Sequence, residues 1–216
     1  MFLARIEGAK AVTPPQLKLS LDRFVPALQN RLEQIDKSLA ALIEKSRVDV
    51  KKESEVRALL NALFDEIPDI VEASFVDAKG VMRMVEPRDY KNFENSDISS
   101  QAHVKAMIKK PAPLISSGFT AVEHFTAVVI SHPLYDSKKA FAGSVNLLIR
   151  PELLVDSLIK KTSIPDDYEL WIMQPDGMII YDVRVPTKPR ILGRGIPLQD
   201  HRQGQCFSGL LDGCDQ

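Results

Sequence analysis

Hydrophobic residues in the first part of the chain recur in alternating steps of four and three, the spacing of one face of a helix. The residues that follow this pattern are Leu21, Val25, Leu28, Leu32, Ile35, Leu39 and Leu42. Proline is tolerated in the first turn of a helix, so Pro26 predicts that the regular helix runs over residues 26–46. These seven residues form a heptad seam, a continuous apolar row along the helix. The seam permits two interpretations: a helix packed on its own domain, or a helix that forms a dimer.

A second helix is predicted over residues 54–67, because its apolar side chains fall on one face and Pro68 follows. Short apolar segments come next, at residues 70–77 and 81–85, separated by a turn that ends in Gly80. This pattern predicts a hairpin. A polar loop and a short helix over residues 97–109 precede three more strands, at residues 114–121, 125–134 and 141–149.

The order of these elements is strand, strand, helix and three strands. It predicts an α+β fold in which a long N-terminal helix precedes a PAS-like, five-stranded antiparallel sheet. Residues 171–181 then repeat the pattern of residues 74–84, an apolar strand, a turn closed by glycine and a second apolar strand. We therefore expect a helical segment at 1–68, a PAS-like domain at 69–161 and a small or truncated second PAS-like unit at 162–216.

Composition narrows the possible partners. The 28 basic and 29 acidic residues nearly cancel, and no basic face suited to nucleic acid is present in the sequence. No apolar stretch is long enough for a transmembrane helix, so we expect contact with a membrane only through flanking segments. Cys206 and Cys214 lack C-x-x-C spacing, so they indicate neither a zinc site nor a disulfide framework.

Candidate catalytic and metal-binding residues are few. The histidines are His103, His124, His132 and His201. His124 and His132 are expected on one face of a strand pair, but two histidines without a third ligand make a weak metal site. The sequence Ser116-Ser117-Gly118 lacks the frame of a nucleophilic serine. We expect no catalytic residue, metal or cofactor. A hydrolase that acts through His103 or His124 stays open as an alternative, ranked after the binding and structural functions given below.

Several segments resemble those of Cache domains, the extracytoplasmic PAS-like sensors of histidine kinases and chemoreceptors. Residues 75–80 are similar to the first hairpin of that family, residues 130–134 to a strand that ends in an S-x-P pattern, and residues 141–145 to its last strand. If residues 162–216 form a membrane-proximal unit, the resemblance is to a double Cache domain.

The resemblance implies a ligand motif of approximately D-x-S-x-R-x-[WYF]. Asp97 and Ser99 match it, whereas Gln101 replaces the arginine and His103 the aromatic residue. A glutamine cannot clamp a carboxylate as arginine does. Leu148 also falls where the amino-acid-binding members of the family place an aspartate that holds the amine.

We therefore expect a small polar or weakly acidic ligand between residues 86–109 and the sheet, in preference to an amino acid. The predicted ligand-binding residues are Tyr90, Phe93, Gln101, His103, Ser116, Ser117 and Phe119. The resemblance implies a periplasmic or extracellular sensor of a membrane-anchored receptor, which signals through its helices. The alternative is a structural module, without a small ligand, that dimerises through residues 21–42.

Overall fold

The computed structural model describes residues 3–8, 14–162, 168–182 and 190–191. The helices are α1 (Pro14–Ser46), α2 (Glu53–Glu66), α3 (Ala102–Lys109) and α4 (Pro151–Thr162). The strands are β1 (Leu3–Gly8), β2 (Glu72–Asp77), β3 (Met82–Glu86), β4 (Leu114–Ile115), β5 (Phe119–Thr120), β6 (Thr126–Tyr135), β7 (Phe141–Ile149), β8 (Tyr168–Met173), β9 (Met178–Asp182) and β10 (Arg190–Ile191). The chain divides into two compact units, residues 31–150 and residues 1–30 with 151–216.

The unit of residues 31–150 is built on an antiparallel sheet of six strands with the order β3-β2-β7-β6-β4, and β5 also pairs with β6. The predicted α+β class, the long N-terminal helix and the PAS-like sheet are confirmed. The third predicted strand is divided, because residues 116–118 interrupt it. Ser116 holds the interruption against the sheet: its backbone N–H donates to Val129 O at 2.8 Å, and its Oγ accepts from Val129 N at 2.9 Å.

The central strands bury side chains on both faces. One face is apolar, with Ala73, Phe75, Ile130, Val145 and Leu147 almost fully buried. His132 projects from the same face, since side chains alternate along a strand. Its Nε2 lies 2.7 Å from Asp36 Oδ1 on α1, so this is the face that the helix covers.

Helix α1 packs on this unit through the seam that its sequence predicted. Ile35, Leu39 and Leu42 are buried within the single chain, and Arg31 forms an ion pair with Asp69, which lies before β2. Burial of each such aliphatic side chain contributes about 1.5–3 kcal/mol. The seam therefore has a packing partner in its own chain, and dimerisation through α1 stays a prediction.

Helix α1 differs from the prediction in its start. It begins at Pro14 and contains Pro26 in its interior, whereas we expected the regular helix to begin at Pro26. A proline inside a helix removes one backbone hydrogen bond, and tertiary packing outweighs this cost: Leu21 and Phe24, in the turns before Pro26, are 4% and 0% exposed.

The other unit contains an antiparallel sheet of four strands with the order β1-β8-β9-β10. The predicted second hairpin is present as β8 and β9, with Gly177 at a positive φ of 87° in its turn. The sequence did not predict β1, which pairs along its whole length with β8, from Leu3 opposite Met173 to Gly8 opposite Tyr168. On the same unit, Tyr181 donates to Asp156 Oδ1 of α4 at 2.7 Å. His201, Cys206 and Cys214 lie outside the described residues.

Arg57 on α2 connects that helix to the chain that follows β3. Its Nη1 donates to Glu94 Oε1 at 3.0 Å and to Glu86 Oε1 at 3.3 Å. Glu94 Oε1 in turn accepts from Val85 N at 3.1 Å. The two carboxylates are mostly buried, with side-chain exposures of 4% for Glu86 and 11% for Glu94. Arg57 therefore balances charges that the fold has taken out of water.

We expect Arg57→Met to lower the free energy of unfolding by about 2–3 kcal/mol, because the stem is kept but two buried carboxylates lose their cation. Urea denaturation measures this effect. Lys37→Met on α1 is the matched control: Lys37 is 76% exposed and pairs with Glu33 at 3.7 Å, so a change below about 0.5 kcal/mol is expected. Equal effects of the two substitutions would contradict the role given to Arg57.

Candidate functional site

The second face of the sheet carries a row of polar side chains. Ser74 on β2 lies opposite Asn146 on β7, and Asn146 lies opposite Ser131 on β6. All three are at least 95% buried. Asn146 Oδ1 accepts a hydrogen bond from the Ser131 hydroxyl, so part of the row is satisfied internally. Glu72 projects from the same face of β2, two residues before Ser74.

A cleft lies over this polar row. Its interior space is about 20 Å³, enough for about one water molecule, and it opens to solvent on one side. Its lining residues are Glu72, Ser74, Val76, Met82, Ile98, Gln101, His103, Phe119, Ala121, Val122, Glu123, Val129, Asn146 and Leu148. All belong to the unit of residues 31–150.

The segment that covers the cleft is fixed to the β2–β3 turn. Ile98 N donates to Gly80 O at 2.9 Å, and Met82 N donates to Ser96 O at 3.0 Å. Gly80 has a φ of +84°, and a Cβ there would lie 2.6 Å from Ser99 Cβ. Only glycine meets both requirements without strain. This contact places Gln101 and His103 over the sheet.

Helix α3 is shorter than predicted, since it begins at Ala102 and not near Asp97. Asp97 is exposed, and its Oδ1 accepts from Ser99 N at 2.9 Å. This side-chain turn competes with helix formation. Asp97 and Ser99 match the family motif in sequence, but neither lines the cleft.

His103 forms part of the apolar end of the cleft. Its ring lies against Phe119, with 4.7 Å between centroids and 42° between planes. Burial lowers the pKa of His103 to about 4, because the charged imidazolium loses its hydration. At neutral pH the ring is uncharged, so it offers one donor and one acceptor to a ligand.

Two carboxyl groups meet at the other side of the cleft. Glu72 is 1% exposed, and its side chain interacts with those of Glu123 and Ser74. Burial, reinforced by the charge of Glu123, raises the pKa of Glu72 well above its usual range. Glu72 therefore keeps its proton at neutral pH. Among the described atoms, Glu72 Oε2 and Glu123 Oε1 are buried and have no hydrogen-bond partner.

The predicted ligand-binding residues occupy three different environments. Gln101, His103 and Phe119 line the cleft. Tyr90 and Phe93 pack against the neighbouring apolar cluster that contains Val76, Met82, Val85, Ile98 and Val104. Ser116 is engaged with Val129, as described above, and Ser117 is exposed. A role of these seven residues in binding stays a prediction.

The arrangement expected for the histidine pair is wrong. His124 lies in the turn before β6, exposed and at a φ of +66°, and its N–H donates to Ala121 O. It therefore shares no strand face with His132. Within the described ranges, no group of three histidine, cysteine or acidic residues is placed to hold a metal ion.

Comparison with known proteins identifies the kind of domain that contains this cleft. The family model for the HK/GC/chemotaxis protein-like sensor domain matches residues 30–151, more than half of the chain. The chain belongs to this family. The resemblance to Cache sensors of chemoreceptors and histidine kinases is thereby confirmed. A search of curated proteins finds no match.

Solved structures share the fold of this sensor domain. An extracellular ligand-binding receptor from Desulfohalobium retbaense is 27% identical, with a TM-score of 0.75 over 84% of this chain and 33% of that receptor. The ligand-binding domain of the Pseudomonas aeruginosa amino acid chemoreceptor PctC, solved with GABA, is 17% identical, with a TM-score of 0.58 over 76% of this chain and 71% of that one. The ligand-binding domain of the P. aeruginosa amino acid chemoreceptor PctB, solved with L-Gln, is 15% identical. Its TM-score is 0.55 over 78% of this chain and 67% of that one.

This chain spans about a third of the length of the D. retbaense receptor. No helix in the described part of the sensor domain has the length and apolar character needed to cross a membrane.

Sequence reasoning missed the polar residues that the sheet contributes to the sensor site. Glu72, Ser74 and Asn146 lie in strands that read as apolar, and Glu123 lies in a turn. Periodicity could have revealed them, because Glu72, Ser74 and Val76 alternate with Ala73 and Phe75 and therefore share one face of the strand. A glutamate on a buried strand also requires a polar partner, which marks that face as a candidate site.

We expect Glu72→Gln to change the pH dependence of stability. Glu72 has a pKa of about 9 in the folded protein and about 4.3 in the unfolded chain. The folded state therefore binds the extra proton between these values, so stability falls as pH rises through this window. Glutamine removes that loss, and the variant should be more stable than the wild type by at least about 1 kcal/mol at pH 8 and by less at pH 5.

Urea denaturation between pH 5 and pH 8 measures this difference. Glu66→Gln, at an exposed position at the end of α2, is the matched control and should leave the profile unchanged. Parallel profiles for Glu72→Gln and the wild type would show that Glu72 does not hold a proton in the folded protein.

Proposed function

We propose that this chain is the sensing domain of a membrane-anchored receptor and that it binds a small polar molecule in the cleft described above. The observation that carries the proposal is the lining of that cleft, in which buried polar groups project from a rigid sheet next to an apolar end. Ligand sites combine these features, because apolar walls supply affinity and a few fixed polar groups supply orientation.

The comparisons support a sensing role. The PctC domain was solved with GABA and the PctB domain with L-Gln, and both belong to chemoreceptors that share the fold of this chain. The D. retbaense protein is an extracellular receptor, which supports an extracytoplasmic location. These ligands belong to the relatives, and the residues of this cleft define its own chemistry.

A weakly acidic ligand, which the sequence also permitted, is disfavoured by the two carboxyl groups. An anion placed beside Glu72 and Glu123 would add a third acidic group to two that already lie together in the wall of the cleft. Among the described residues that line the cleft there is no lysine or arginine to offset it. We therefore restrict the proposal to polar molecules that donate hydrogen bonds.

Signalling would pass from the sheet to α1. Besides the apolar seam, two polar contacts hold α1 within residues 31–150: the hydrogen bond between Asp36 and His132 of β6, and the ion pair between Arg31 and Asp69, which lies before β2. A ligand that prefers one arrangement of β6 and β2 shifts the population of states through these contacts. The continuous helix then carries the shift toward its N-terminal end.

The test is a thermal-shift screen of amines, amino acids, polyols and organic acids. A ligand that binds the folded state raises the melting temperature. Gln101→Trp should abolish the shift of any ligand that occupies the cleft, because the indole fills space beside Gln101, which is half-buried at the cleft. Lys105→Trp adds the same side chain on the exposed face of α3 and should leave the shift intact. A ligand unaffected by Gln101→Trp binds elsewhere and contradicts the proposal.

A further inference from the structure

We propose that residues 116–125, which contain β5 and the turn after it, form a gate over the cleft, and that a ligand reaches the polar face of the sheet only when this gate moves away. The inference rests on the proposed function, since it concerns the regulation of the same site. It depends on the space inside the cleft, on the attachment of each wall and on two side-chain contacts that close it.

The first observation is that the cleft is closed at its inner end. Its interior space of about 20 Å³ accommodates about one water molecule, whereas sites for small molecules have volumes of about 300–1,000 Å³. Ser74 and Asn146, in the lining of the cleft, are 3% and 4% exposed. A ligand larger than water therefore contacts these polar groups only after one wall has moved.

The wall formed by the chain before α3 is firmly attached. Besides the backbone bond from Ile98 described above, Asn95 N donates to Met82 O at 2.6 Å. Glu94 is also held by Arg57, through two contacts of 3.0 and 3.3 Å. Movement of this wall would break these bonds together, so we assign it to the fixed part of the site.

The gate is attached along a much shorter line. Strand β5 is two residues long and pairs with β6 alone among the described strands, with Phe119 opposite Ala127 and Thr120 opposite Thr126. Ser116 fastens one end of the gate to β6. A short edge strand separates from a sheet more readily than a central strand does, so the gate is the wall that moves.

Two side-chain contacts close the gate onto the fixed walls. The ring of Phe119 lies against that of His103 on α3, with centroids 4.7 Å apart. In the turn after β5, the carboxyl group of Glu123 is hydrogen-bonded to that of Glu72 on β2. Ala121, between the two contacts in sequence, is 4% exposed. The protein's own side chains therefore occupy the place that a ligand needs.

The carboxyl contact makes the gate sensitive to pH. Burial and Glu123 raise the pKa of Glu72 to about 9, so at neutral pH its O–H donates to Glu123, whereas an ionised Glu72 repels that carboxylate. Movement of the gate exposes Glu72 to water and returns its pKa toward the ordinary value. Opening therefore releases a proton and becomes more frequent as pH rises toward 9.

The other titratable groups near Glu72 do not produce this dependence. Burial holds the pKa of His103 at about 4 and raises that of Tyr90 above its usual range. The remaining charged groups that act on Tyr90 are Arg150 and Asp89, and side chains of these two types are charged throughout the range from pH 6 to pH 9.

The test measures how often the cleft opens, with a small thiol reagent as the probe. Ser74→Cys places a thiol in the lining, where it is buried while the gate is closed. Methyl methanethiosulfonate reacts with this thiol only when the cleft opens. Peptide mass spectrometry separates its labelling from that of Cys206 and Cys214. Val129→Cys, at a second lining position, repeats the measurement.

In the Ser74→Cys protein, Phe119→Ala removes the ring contact and should speed labelling at pH 7 by at least about tenfold. Glu123→Ala removes the carboxyl contact and should speed it by at least about threefold. Arg57→Met is the matched control on the fixed wall and should change the rate by less than about twofold. Because it weakens the fold without loosening the gate, it also excludes labelling through global unfolding.

Glu72→Gln supplies the pH signature. Glutamine keeps a donor toward Glu123 at every pH, so the gate stays closed in this variant. The labelling rate with Glu72, divided by the rate with Glu72→Gln, should rise at least about tenfold from pH 6 to pH 9. The reacting thiol and the exposed His124 of the gate are common to both proteins, so their own titration cancels in the ratio.

Labelling that is unchanged by Phe119→Ala and Glu123→Ala would overturn the inference, and so would a ratio that is independent of pH. Equal acceleration by Arg57→Met would do the same, because the cleft would then open at the other wall. The proposed function is judged separately, by whether any molecule of the screen loses its thermal shift in Gln101→Trp. A gate that moves although no molecule binds, or a molecule that binds although the gate does not move, shows which proposal has failed.

Discussion

The central strands β2, β6 and β7 are covered on both faces, so each of their side chains must fit one packed layer or the other. Alternation along the strands assigns apolar residues such as Phe75 and Leu147 to the helix-covered face and polar residues such as Ser74 and Asn146 to the opposite face. A shift of register by one residue would exchange these sets and bury the polar row against the helices. The same pairing that specifies the fold therefore also builds the cleft.

Within the cleft, the electrostatics depend on the removal of water. Burial and Glu123 hold the pKa of Glu72 far above its ordinary value, and burial holds that of His103 well below its own. Both shifts favour the uncharged forms. Glu72 and His103 are therefore both uncharged at neutral pH.

Much of the fold follows from the sequence, because periodicity and turn residues are local signals. Such signals predicted the heptad seam of α1, the hairpins at Gly80 and Gly177, and the order of helices and strands along the chain. The strand β1 was missed because its partner β8 is about 160 residues away. The site was found in part: Gln101, His103 and Phe119 line the cleft, but the Glu72–Glu123 pair depends on a turn and a strand whose proximity only the folded chain reveals. The family motif also led to Asp97, which does not line the cleft and whose carboxylate accepts a hydrogen bond from Ser99 N.

We propose that the polar face of the sheet between β2 and β7 is where this sensor domain binds its ligand. The most direct measurement is a map of backbone amide chemical-shift changes on addition of the ligand that the thermal-shift screen selects. The account predicts that the largest changes cluster at Glu72, Ser74, Gln101, His103 and Asn146. Changes centred instead on the groove lined by Ile43, Arg47, Pro133 and Tyr135 would contradict it.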